Sequence, residues 1–80
     1  MNANAATWYT WTAGPTGTFR NEQAARNAWN RYAVRCAARG SSAQTETIGQ
    51  ARLYKCRTRQ MVRTVDVSTV RDGETIVAWG

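Results

Sequence analysis

The chain has 80 residues, with 11 Lys or Arg against five Asp or Glu, no His, a net charge of +6 and 42% hydrophobic content. That apolar share describes one folded domain over residues 1–80 and excludes a disordered basic tail. No apolar run is long enough to span a membrane and Met1–Asn4 opens no signal peptide, so an intracellular protein is expected.

Ala6–Ala13 (ATWYTWTA) is rich in Thr, Trp and Tyr and reads as a first strand, ended by Gly14-Pro15-Thr16-Gly17. Alternation puts Tyr9 and Trp11 on one face and Trp8 on the other. Asn21–Arg39 has the clearest helical pattern. Asn21 can cap it, Glu22 suits the first turn, Arg39 the last, and Gly40 the left-handed position just past the end. Ala25, Ala28, Trp29, Tyr32, Ala33 and Cys36 form one stripe that should lie on a sheet. Arg31, Arg35 and Arg39 step by four along its flank, as a solvated face or as a contact strip for phosphates or carboxylates.

Ser41-Ser42-Ala43 reads as a loop and Gln44–Gly49 (QTETIG) as a candidate strand. Arg52–Arg57 and Gln60–Val70 are firmer strands that can pair across Thr58-Arg59, a poor turn dipeptide that leaves a longer loop open. Simple alternation then places Tyr54, Cys56, Met61, Val65 and Val67 on the face toward the helix. Asp72-Gly73 is the strongest hairpin signal and folds Glu74–Trp79 back on Val67–Arg71. Ile76 and Ala78 would continue the core face, with Val77 and Trp79 turned outward. The order strand, helix, strands predicts a two-layer α+β fold, one helix packed on a three- to five-stranded antiparallel sheet.

Catalytic chemistry is poorly supplied. General acid–base work usually draws on His or paired carboxylates, and here there is no His and the five acids are scattered. Cys36 and Cys56 stand apart, in no metal-ligand spacing, and read as two buried thiols or, if the chain meets an oxidising compartment, a disulfide. Gly14–Gly17 is too short for a phosphate loop and lacks its lysine. The expectation is a protein that is not an enzyme, with no metal and no cofactor. Nucleic-acid modules with local signatures are also missing: no finger spacing, no GXXG, no ribonucleoprotein octamer.

The charge pattern is the informative feature. Arg52, Lys55, Arg57, Arg59 and Arg63 fall close together, with no acid between Glu46 and Asp66. Such a cluster calls for an anionic partner, either nucleic acid or an acidic protein surface. An open sheet face carrying Lys55, Arg57, Val62, Val77, Trp79 and Trp8 would suit base stacking or a protein hot spot equally. The candidate partner-binding residues are therefore Arg52, Lys55, Arg57, Arg59, Arg63, Arg31, Arg35, Arg39, Trp8 and Trp79.

The whole layout, the ATWYTWTA strand, the Asn21–Arg39 helix and the RLYKCRTRQMVRTVDV and DGETIVAWG hairpins, resembles the small phage-encoded anti-CRISPR proteins. Within that group it is most similar to basic single-domain inhibitors of type I surveillance complexes, type I-C included. The likeness is architectural and compositional, since those inhibitors share no sequence motif. It implies a non-enzymatic inhibitor in the cytoplasm of a bacterial host, a monomer or weak dimer. Its partners would be protein subunits of the CRISPR effector complex near the nucleic-acid channel, with nonspecific nucleic-acid contact and no membrane. The charge of +6 excludes mimicry of DNA. The competing expectation is a small basic protein acting directly on DNA or RNA.

Overall fold

The computed structural model describes residues 8–80. Its elements are strand β1 (Tyr9–Trp11), helix α1 (Glu22–Ala38), short helix α2 (Ala43–Glu46) and strands β2 (Arg52–Lys55), β3 (Gln60–Arg71) and β4 (Glu74–Trp79). The strands form one antiparallel sheet in the order β1-β2-β3-β4. Helix α1 packs on one face, so the fold is the expected two-layer α+β arrangement. Of the predicted first strand, Ala6 and Thr7 lie outside the described residues.

Both ends of α1 are closed by local hydrogen bonds. Asn21 Oδ1 accepts from the Ala24 N–H at 2.7 Å, satisfying one of the orphan donors of the first turn. At the other end the Gly40 N–H donates to Ala37 O and the Ser41 N–H to Cys36 O. Gly40 has φ 79°, the left-handed residue on which that closure depends.

The apolar stripe of α1 carries the core. Trp29 is fully buried, its ring 5.3 Å from Trp11 and 5.6 Å from Tyr32, and its Nε1–H donates to Ser68 Oγ at 3.0 Å. Trp11 is buried beside it and donates its own Nε1–H to Ala25 O at 2.9 Å. Ala25, Ala28 and Ala33 are small enough to let the helix settle close to the sheet. Gly14 crosses the indole at φ 94°, where an added Cβ would stand 3.0 Å from Trp29 Cζ3. A side chain there would both strain the backbone and push on the core.

The facing of the strands departs from simple alternation. The pairing of β2 with β3 slips between Leu53 and Tyr54, leaving Val62 as an extra residue, and the pairing of β3 with β4 slips at Asp66. Each bulge reverses the parity of the β3 residues beyond it. Leu53, Arg63, Val65, Ser68, Val70, Val77 and Trp79 therefore share the helix side, with Leu53 fully buried. Tyr54, Cys56, Met61, Val67, Ile76 and Ala78 lie on the opposite side. Of the residues expected to face α1, only Val65 does, and Val77 and Trp79 point inward rather than out. Trp79 stacks on Trp11 at 5.9 Å.

Two loops also differ. Gln44–Gly49 is not a strand: Ser42 Oγ accepts from the Thr45 N–H at 3.0 Å and starts α2 instead. Ile48 and Gly49 then adopt φ 56° and 64°, incompatible with an extended chain. The β2–β3 connection is the longer alternative, residues 56–59, with Arg59 at φ 55°. Asp72-Gly73 forms the tight turn expected, at φ 54° and 79°, with Arg71 opposite Glu74. The thiols are free: Cys36 is in the core and Cys56 sits half-buried at the β2–β3 turn.

Replacing Trp29 by Ala should cost about 3–5 kcal/mol, comparable with the whole margin of a small domain, and leave the chain largely unfolded. Ser68→Ala, which only orphans the indole N–H, should cost about 1–3 kcal/mol. Thermal melts followed by circular dichroism check both. An unchanged melting temperature for Trp29→Ala would contradict the packing described.

Candidate binding surface

The β2–β3 turn is where cations gather. Arg57 and Arg59 are exposed within it, and Lys55 enters it from β2. Lys55 is the register partner of Tyr9, and Tyr9 exchanges two backbone hydrogen bonds with Phe19, both 2.8 Å. That pairing brings Arg20, the exposed residue after Phe19, to the same end of the sheet. On the other side of β1, Trp8 is 46% exposed and its carbonyl accepts from the Cys56 N–H at 2.8 Å. The tip thus combines one exposed indole with Arg20, Lys55, Arg57 and Arg59.

Glu22, in the first turn of α1, is engaged by two cations. Arg63 reaches across from β3 to place Nε 2.8 Å from Glu22 Oε2, and Arg26 places Nη2 2.6 Å from the same oxygen. The Arg63 hydrogen bond holds the Glu22 carboxyl below the usual carboxylate range, partly opposed by burial and reinforced by Arg26. Arg26 also lies 5.1 Å over the Trp79 ring. Two guanidinium groups thus share the one Glu22 carboxylate oxygen.

The sequence-predicted site is consequently divided. Trp8, Lys55, Arg57 and Arg59 come together. Arg63 is half-exposed on the helix side and holds Glu22. Arg52 is exposed on the opposite sheet face, opposite Thr64. Arg31 and Arg35 are exposed beside the β3–β4 turn, at the other end of the 12-residue strand β3 and so on the order of 30 Å from the tip. Arg39 caps the C-terminus of α1, its Nη2 3.5 Å from Cys36 Sγ. Trp79, expected on the surface, belongs to the core because the Asp66 bulge turns it inward. Arg20 escapes sequence reasoning, since only the Tyr9–Phe19 pairing, a nonlocal contact, brings it here.

The Tyr32 hydroxyl is pushed up to about 12, first by burial and then by the neighbouring Cys36 thiol, and stays protonated at neutral pH. Among the described residues no three His, Cys, Asp or Glu side chains gather to hold a metal ion, and no helix is long and apolar enough to cross a membrane. What the tip can do is present cations and one aromatic plane to an anionic surface.

Compared with known protein families, curated proteins and solved structures, the chain matches none of them.

The Glu22 network predicts a pH dependence. Because the folded-state pKa is lowered, its stabilisation is complete above the unfolded value near 4.3 and is lost as pH falls through the folded one. All three side chains are partly solvated, so Glu22→Gln should cost no more than about 1 kcal/mol at pH 7. Melting temperatures of the two proteins should converge as pH falls through the folded-state value. A constant gap across that range would show that the ion pairs do not contribute.

Proposed function

We propose that this chain is a non-enzymatic inhibitor that docks through its basic tip onto the acidic surface of a nucleic-acid-handling protein assembly. The resemblance to small anti-CRISPR proteins makes a type I surveillance complex the first partner to test, with exclusion of target DNA as the consequence. The observation that carries the reading is the gathering of Arg20, Lys55, Arg57 and Arg59 at one end of the sheet, with Glu22 engaged by Arg26 and Arg63. Electrostatic complementarity of this kind accelerates association and fixes orientation, while exposed Trp8 offers an anchor for affinity.

One feature favours a second reading, direct binding of single-stranded nucleic acid. Trp8 stands beside the basic turn, and an indole among arginines is the arrangement on which bases stack. The tip offers a single well-exposed aromatic, however, and single-strand binders line several in a row. The protein-directed reading therefore stands first.

Hosts with and without each type I system, infected in the presence and absence of this gene, provide the biological readout. Plaque formation should rise only in hosts carrying a susceptible system. Reversing charge at Arg57 and Arg59 together should abolish that rise and lower affinity for the purified complex at least tenfold. The fold should be unchanged, because solvated turn residues contribute little to packing. Equal plaquing with and without the gene in every host would end the anti-CRISPR reading.

A further inference from the structure

The two edges of the sheet are treated differently. At β1 the chain folds back over its own edge: Tyr9 exchanges both backbone hydrogen bonds with Phe19, and Thr10 Oγ1 donates to Gly17 O. At β4 no described strand follows. The mutual bonds between Thr64 and Gly80, and the two-residue turn joining Arg71 to Glu74, set which backbone groups of β4 point into the sheet. By antiparallel alternation these are Glu74, Ile76, Ala78 and Gly80, so the N–H and C=O groups of Thr75, Val77 and Trp79 point away from it. This edge has no proline, no lysine and no bulge of its own, the devices that usually blunt an exposed edge.

Alongside that edge runs the flank of α1. Thr75 Oγ1 donates to Asn30 O at 3.1 Å, holding helix and strand together, and an open groove of about 570 Å³ lies between them. Asn30, Arg31, Val34 and Arg35 line one side, and Gly73, Glu74 and Thr75 the other. Arg31 and Arg35 are both exposed, and the one acid of the lining, Glu74, stands opposite Arg71 in the hairpin register. We infer that the β4 edge is a second binding site, which takes an extended acidic segment of a partner protein as an added strand.

Charge selects the occupant. A second copy pairing β4 to β4 antiparallel would set Arg31 and Arg35 of each helix beside the N-terminal half of the other's, where Arg26 is a cation and Glu22 is already held by Arg26 and Arg63. An acidic strand instead gains the β4 backbone groups that no described strand pairs, and places carboxylates beside both guanidinium groups. Another groove, of about 510 Å³ between α1 and β3, is lined by Asp66 and by no cation, so nothing there selects a partner. This site is independent of the basic tip and stands or falls separately.

The probe is a capped eight-residue peptide alternating valine and glutamate, compared with its valine–lysine counterpart, against the isotopically labelled full chain. The glutamate peptide should slow amide exchange at Thr75, Val77 and Trp79 at least tenfold at saturation, and the lysine peptide should not. Reversing Arg31 and Arg35 to Glu should weaken binding at least tenfold with the circular dichroism unchanged. If that variant unfolds, Arg31→Gln with Arg35→Gln serves the same purpose. Equal binding of both peptides, protection elsewhere than β4, competition by single-stranded DNA for these amides, or a β4-paired dimer by sedimentation would each overturn the proposal.

Discussion

The burial of Trp29 is the constraint on which the rest depends. A chain of this size hides only roughly 60% of its unfolded surface, so a few large side chains must carry most of the stability. Trp29 is the largest fully buried one, and its environment dictates several distant positions. Ser68 must present a hydroxyl to the indole N–H, Gly14 must lack a side chain, and Trp11 must lie beside it with its own N–H on Ala25 O. Tryptophan is usable at this depth because both indole donors find acceptors.

Elements controlled by neighbours in sequence are legible in it; facing controlled by distant pairing is not. The helix can be read because Asn21, Gly40 and the Ala25-to-Cys36 stripe act within a few residues of one another. The Asp72-Gly73 turn can be read for the same reason. The inner faces of β3 and β4 cannot, because the bulges at Val62 and Asp66 arise only from pairing with β2 and β4 and leave no mark in an alternating pattern. The same limit reaches the site. Alternation puts Trp79 on the surface, and the Arg52–Arg63 run, contiguous in sequence, is divided between two sheet faces, a turn and an ion pair. Gln44–Gly49 departs for a different reason, a Ser42 cap that outcompetes the β preference of its threonines.

The same geometry that buries Trp29 distributes the charge. With α1 seated on the sheet, its first turn brings Glu22 to Arg63 and Arg26. Further along, the helix sets Arg31 and Arg35 beside the β4 edge. The domain therefore presents two cationic regions of different character, a solvated turn with an exposed indole and a strand edge with a groove. The first suits electrostatic steering toward a charged surface, and the second suits backbone pairing with a defined segment.

The recognition proposed for the basic tip is of a protein assembly and not of nucleic acid itself. Parallel titrations at physiological salt, one with a purified type I surveillance complex and one with naked single- and double-stranded DNA, separate the two. Tight binding to the complex is expected, with weak binding to DNA that fades further as salt rises. Tight binding to naked DNA with none to the complex would contradict it.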